Sequence, residues 1–233
     1  MIVTLLKALL IAVVTVPFSI AAILAIPLPG GRLFHAIART WARFILWIFG
    51  IKVTVRGLEH LGSNRHFIYV SNHASMFDIP AVLVGIPDEI RIVLKKELTK
   101  VPIWGWALKY GHYISIDRDN PKDAVRSLER AVETIRNGAS VLLFAEGTRS
   151  RDGALQPFKR GAFSLAAKAG VPIMPVAIKG TFRILPKGSW KISPADVELV
   201  LDTPIATHGI TGKEGELELM ERVHRVVEKN LKK

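Results

Sequence analysis

His66-Phe67-Ile68-Tyr69-Val70-Ser71, running straight into Asn72-His73-Ala74-Ser75-Met76-Phe77-Asp78, is the stretch on which the reading of this chain turns. Its apolar core is too short for a helix and shows no polar alternation, so it reads as a strand buried on both faces, with polar residues waiting where the strand stops. The same grammar recurs at Ser140-Val141-Leu142-Leu143-Phe144-Ala145, which runs into Glu146-Gly147-Thr148-Arg149-Ser150. Ile51–Arg56, Ile90–Leu94, Tyr113–Ile116, Ile173–Ile178 and Val197–Leu201 complete seven candidate strands. Helical patterns lie between and after them. Pro121 to Asn137 has Asp119 or Asn120 to cap it, proline in its first turn, a stripe of Ala124, Val125, Leu128, Val132 and Ile135, and Gly138 to stop it. Glu214 to Leu231 turns Leu217, Met220, Val223, Val227 and Leu231 inward. Short strands alternating with helices predict an α/β fold: a mixed, mostly parallel sheet flanked by helices.

Working back toward the N-terminus, the pattern changes. Ala8 to Ile26 is uncharged and mostly apolar, about 28 Å long if helical, and is followed by the turn Pro27-Leu28-Pro29-Gly30-Gly31. Leu33 to Phe49 then reads as a second helix, with Ile37, Trp41, Phe44, Ile45 and Ile48 along one side and Arg32, Arg39 and Arg43 free for headgroups. The expected organisation is a membrane-attached two-helix hairpin over residues 1–50 and a catalytic α/β domain over residues 51–233. Pro17 leaves open whether the first helix spans the bilayer or re-enters the same leaflet. If it spans, Lys7 weighed against Arg32, Arg39, Arg43, Lys52 and Arg56 puts the domain on the cytoplasmic side of the cell membrane.

The formal charge of +12 over 233 residues asks for an anionic partner, and the apolar N-terminus makes that partner a membrane surface rather than nucleic acid. With no cysteine in the chain, disulfides, thiolate metal sites and a cysteine nucleophile are excluded. A nucleophile elbow, a P-loop and a zinc helix are also missing from the sequence, and neither metal nor cofactor is expected.

The two strand-end segments carry the chemistry. An aspartate five positions after a histidine can be folded back to accept one imidazole N–H, which fixes the tautomer and frees the other nitrogen to take a proton. His73 is therefore the candidate general base and Asp78 its orienting acid. In the second segment Gly147 permits close approach to the backbone, the Thr148 region offers N–H groups to an anion, and Arg149 carries a planar fork of donors for a phosphate. Lys95 and Lys96 end another candidate strand and Arg118 follows the next, so three cations could converge on one phosphate from neighbouring strand ends. Taken singly, each of these patterns also fits an ordinary turn, a helix cap or solvated surface charge.

Together the residues resemble the sequence blocks of the glycerolipid acyltransferases related to bacterial 1-acylglycerol-3-phosphate acyltransferase. Asn72-His73 through Asp78 is similar to the catalytic block, and Ile116-Asp117-Arg118, with Lys95-Lys96-Glu97-Leu98 upstream, to the second. Phe144-Ala145-Glu146-Gly147-Thr148-Arg149-Ser150 resembles the third block and Val171-Pro172-Ile173-Met174-Pro175-Val176-Ala177 the fourth. The resemblance runs from about Ile51 to Ile178. It departs at Ala145 and Ser115, where the family often has proline and phenylalanine.

What the resemblance implies is transfer of a fatty acyl group from acyl-CoA or acyl carrier protein to the free hydroxyl of lysophosphatidic acid. His73 and Asp78 would be the catalytic pair. Arg118, Arg149 and one of Lys95 or Lys96 would bind the acceptor phosphate, and Glu146 and Gly147 would shape the acceptor site. Val101 to Leu108 reads either as acyl-pocket lining or as a packed core helix. Competing readings keep the chemistry but change the acceptor to glycerol 3-phosphate or another lysophospholipid, or make the chain a non-enzymatic basic membrane module. A hydrolase would call for more metal-binding carboxylates or histidines than this pattern offers.

Overall fold

The computed structural model describes residues 2–62, 66–116, 121–136 and 138–233. In chain order the main elements are α1 (Ile2–Ala25), α2 (Arg32–Ile48), β1 (Val53–Arg56), β2 (Ile68–Ser71), α3 (Asp78–Gly85), β3 (Ile90–Lys95) and α4 (Trp104–Tyr110). They continue as β4 (Ile114–Ile116), α5 (Pro121–Arg136), β5 (Ser140–Phe144), α6 (Gly161–Ala169), β6 (Ile173–Lys179), α7 (Thr181–Ile184), β7 (Val197–Leu201) and α8 (Gly212–Lys232). All seven expected strands are present, β7 with the expected bounds and the others displaced by a residue or two at one end. Of these helices α3, α6 and α7 had no sequence assignment, being short and lacking a full amphipathic repeat.

The strands form one sheet in the order β1-β7-β6-β2-β5-β3-β4. Every pairing is parallel except β6 with β7, so β1 and β7 run against the other five. The mixed, mostly parallel sheet is thus as expected, and the register brings its functional ends together. Ser71 pairs with Phe144 on one side and Val176 on the other, while Lys95 pairs with Ile116. The segments that follow β2, β5 and β3 therefore leave the sheet along one edge, the carboxyl edge where open α/β sheets take their ligands.

Strand alternation divides the core. Phe67, Tyr69, Leu142 and Met174 pack beneath α2 and α3, while Ile68, Val70, Val141 and Ile173 face the opposite layer, where Ala131, Val132 and Ile135 of α5, Phe163 of α6, and Leu219, Val223 and Val227 of α8 are buried. Asp119 and Asn120, the expected cap of α5, lie outside the described residues, as does Asn137.

The first two helices lie against this domain. From α2 and the residue after it, Ala42, Ile45, Leu46 and Phe49 belong to the same core cluster as Tyr69, Leu83 and Leu142. Lys7 Nζ of α1 donates to the Ile192 carbonyl at 2.6 Å, and Ala22 of α1 packs with Phe34 and Ala107. Among the described residues no helix is long and apolar enough to cross a membrane. Along the expected apolar side of α2, Ile45 is buried and Phe44 exposed. One expectation for α2 needs correction. Arg39 is not free for headgroups, because its guanidinium donates to the Ile86 carbonyl and, at 3.1 Å, to that of Asp88. Arg32 and Arg43 remain exposed.

Candidate active site

β2 ends at Ser71, and the next residue locks the edge of the sheet. The Asn72 side chain accepts the Ile178 N–H at 2.8 Å and donates to the Ile178 carbonyl at 2.9 Å, acting as a further rung between β2 and β6. The chain then turns through His73-Ala74-Ser75 before α3 begins at Asp78. Asp78 is fully buried, and its Oδ2 accepts the N–H groups of Ala74 at 2.8 Å and Ser75 at 2.9 Å. The same oxygen lies 2.7 Å from His73 Nδ1. An ionised carboxylate only accepts, so Nδ1 carries the proton and the Nε2 lone pair is left for a substrate. The five-residue spacing thus closes a turn of main chain around one carboxylate.

The second loop holds the first. Glu146 Oε1 accepts the His73 N–H at 2.8 Å, and the Ser150 N–H donates to the His73 carbonyl at 2.8 Å. Burial pushes the Glu146 carboxyl up to about 7, against the lowering effect of the His73 and Gln156 backbone amides. The Phe144 ring stacks on the imidazole at a centroid distance of 3.9 Å with 17° between planes. Gly147 has φ +75°, which favours glycine, while a Cβ there would meet only the flexible end of Lys159, with Cδ at 2.8 Å.

Between α1, α2, α3 and α4 lies an apolar cavity of about 310 Å³, with His73 and Arg149 on its lining. Phe18 and Ala22 of α1, Ile37 and Trp41 of α2, Leu83 of α3 and Leu108 of α4 form much of the wall. The Trp41 indole N–H donates to Thr15 Oγ1 at 3.1 Å, tying the two N-terminal helices together beside it. Within Val101 to Leu108, Trp104, Ala107 and Leu108 line the cavity from a helix whose Ala107 and Leu108 are buried.

His73, Asp78, Glu146, Gly147 and Arg149 are brought together as the sequence suggested. Thr148 is exposed, and Lys187 Nζ donates to its hydroxyl at 2.9 Å and to the Arg149 carbonyl at 3.1 Å. Lys95 is half-exposed, pairs with Glu97 at 3.3 Å and is not among the residues lining the cavity. Arg118 lies outside the described residues. Sequence reasoning passed over Lys187, the Asn72 clamp and the Phe144 stack. Only the last two left a signal, in being direct neighbours of the site segments.

A histidine oriented by a buried acid is set with an arginine on an apolar cavity at the carboxyl edge of an α/β sheet. The acyltransferase family model matches residues 52–179, and the chain belongs to that family. It is 34% identical over 200 residues to a Pseudomonas aeruginosa protein named 1-acyl-sn-glycerol-3-phosphate acyltransferase, covering 84% of this chain and 75% of that one. A chloroplastic relative of the same name from Brassica napus is 39% identical over 176 residues, 75% of this chain and 51% of the relative, so the chain spans about half that protein's length. Among solved structures, that of the 1-acyl-sn-glycerophosphate acyltransferase PlsC from Thermotoga maritima matches with a TM-score of 0.82 at 30% identity, over 98% of this chain and 93% of the other.

Proposed function

We propose that the protein transfers a fatty acyl group from an acyl thioester, acyl-CoA or acyl-acyl carrier protein, to the free sn-2 hydroxyl of lysophosphatidic acid, forming phosphatidic acid. The names of the relatives support the acceptor. The observation that carries the mechanism is the His73 imidazole, held by Asp78 at 2.7 Å on the wall of an apolar cavity that Arg149 also lines.

His73 Nε2 takes the proton of the acceptor hydroxyl as its oxygen attacks the thioester carbonyl carbon. The tetrahedral intermediate collapses with cleavage of the C–S bond, and the imidazolium returns the proton to the departing thiolate, restoring the neutral base. Asp78 stabilises the imidazolium between the two steps and keeps Nδ1 protonated throughout. Arg149 grips the acceptor phosphate, and the apolar cavity takes an acyl chain. Neither a covalent acyl-enzyme nor a cofactor is needed.

The hairpin of residues 1–50 attaches the enzyme to the membrane, with residues 51–233 carrying the chemistry on its cytoplasmic side. Exposed apolar side chains on both helices, among them Leu9, Val13, Leu24 and Trp47, support the attachment. The deciding test is purified protein offered both donors and a panel of lysophosphatidic acid, glycerol 3-phosphate and larger-headgroup lysophospholipids. Phosphatidic acid from lysophosphatidic acid, in preference to the other products, is expected; the same rate on all acceptors, or none on any, would overturn the assignment.

A further inference from the structure

A second pocket opens at the other edge of the sheet, beside the starts of β3 and β4 and the turn between α1 and α2. Its volume is about 600 Å³ and its lining includes Arg32, Arg91, Lys109 and Arg130 with a single carboxylate, Glu89, among the described residues. Arg91 gives this pocket a built floor. Its side chain is 5% exposed, and Nη2 donates to the Gly30 carbonyl at 2.8 Å and to Glu89. Nη1 is buried and has no partner among the described residues. An unpaired N–H of a buried guanidinium is costly, and a further acceptor oxygen, beside that of Glu89, is what Nη1 lacks.

The turn is shaped around that guanidinium. Gly31 has φ +67°, and a Cβ there would lie 2.8 Å from Arg91 Nη2 and 2.7 Å from the His112 ring. α2 starts immediately afterwards with no side-chain cap, so the first-turn N–H groups of a 17-residue helix add positive potential at the same place. His112 is kept neutral by burial and by Arg91, which leaves its ring as wall rather than as a further cation.

We propose that this pocket binds the phosphate of an anionic phospholipid headgroup, apart from the reaction site. The surroundings favour a lipid over a free ion. Leu28 and Leu33, either side of the Gly30-Gly31-Arg32 lining, are exposed, as is Tyr110 between Lys109 and Gly111. Cations in a recess with apolar and aromatic side chains at its margin match the layering of headgroup and acyl region at a bilayer surface. His73 follows the end of β2, whereas Arg91 sits at the start of β3, so the two phosphate-binding regions lie at opposite edges of the sheet.

The test uses the full-length protein in neutral detergent, with thermal unfolding followed against short-chain phosphatidylglycerol, short-chain phosphatidylcholine and inorganic phosphate. Phosphatidylglycerol should raise the melting temperature where phosphatidylcholine does not. The double variant Lys109→Gln/Arg130→Gln should bind phosphatidylglycerol at least about tenfold more weakly, and Arg149→Ala should bind it as the parent does. Arg91→Met should lose the effect altogether; if it does not fold, the double variant carries the result. Unchanged affinity in the double variant, or loss confined to Arg149→Ala, would overturn the site. Inorganic phosphate matching phosphatidylglycerol, with the same dependence on Lys109 and Arg130, would overturn the lipid and leave a free-phosphate site.

Discussion

Glu146 Oε1 holds the backbone N–H of His73 at 2.8 Å, so the carboxylate of one strand-end loop fixes the main chain of the loop beside it. The hydrogen bond needs only an acceptor, whereas the charge is a burden, since burial pushes the carboxyl up to about 7. Because its folded pKa lies above the unfolded value near 4.5, the folded state binds the proton more tightly. The associated stability is full below about 4.5 and is lost as pH rises through about 7. Glu146→Gln keeps the acceptor and removes the titration. It should be roughly 1–2 kcal/mol more stable than the parent at pH 8 and little different at pH 5, by denaturant titration at both values. A gain that did not depend on pH would mean that Glu146 is not protonated in this window.

Removing the base should be far more damaging to turnover than to folding. His73→Ala is expected to abolish acyl transfer while the thermal unfolding curve stays close to the parent's. Asp78→Asn should lower kcat by at least about a hundredfold, the scale of a general-base contribution, because its amide no longer holds the Nδ1–H tautomer. Asp78 is buried and accepts two backbone amides, so some loss of stability should accompany it. Near-normal turnover by His73→Ala would remove the mechanism.

Arg149 is half-buried on the cavity lining, and its guanidinium makes no hydrogen bond or ion pair with a described residue. Arg149→Ala should raise KM for lysophosphatidic acid at least about tenfold while leaving KM for the acyl donor near its parent value. Arg149→Lys should rescue poorly, because a point charge lacks the planar fork. Steady-state kinetics with each substrate varied in turn would distinguish this from a structural role, which predicts equal changes in both.

The central strands β2, β3, β5 and β6 were legible because their residues are nearly all buried, which makes them short apolar runs bounded by polar residues. β1 starts at Val53 rather than Ile51 because the Ile51 N–H is taken by the Leu46 carbonyl at 2.9 Å, closing the end of α2. His73 and Asp78 were legible because one loop holds both. Lys187 was not: it reaches Thr148 from 39 residues away, through the chain that follows α7. Arg39 looked like a headgroup ligand because its partners are backbone carbonyls, which leave no trace in a sequence. The cavity was hidden for a related reason, since an apolar helix face reads alike whether it meets lipid, protein or an acyl-sized space.

The cavity makes its own prediction. Ala22 of α1 and Ala107 of α4 form a small cluster with Phe34, whose ring lies edge-on to Tyr113 at 5.3 Å between centroids. Ala107→Phe should shorten the space available to an acyl chain. Each methylene that no longer fits forfeits about 0.8 kcal/mol, or roughly fourfold in kcat/KM, so preference should move toward shorter donors. Competition between donors of different length measures it, and a uniform fall across all lengths would show that this end of the cavity is not occupied by the chain.

The two N-terminal helices should prove inseparable from the domain they precede. Ile45, Leu46 and Phe49 are 3%, 3% and 5% exposed in the core that also holds Tyr69 and Leu142. Burying side chains of this size stabilises by about 1.5–3 kcal/mol each, so the three together are comparable with the whole stability of a typical domain, about 5–15 kcal/mol. Deleting residues 2–49 removes them along with the Phe18, Ile37 and Trp41 wall of the cavity. The truncated protein is therefore expected to lose its cooperative thermal transition and to aggregate, rather than to persist as a soluble enzyme with weakened membrane binding. Deleting only residues 2–6 stops short of Lys7 and its bond to the Ile192 carbonyl, and should leave the transition and the activity in place. Circular dichroism melts and sedimentation of both truncations give the comparison. A folded, active protein lacking residues 2–49 would show that the sheet and its other helices close the core alone.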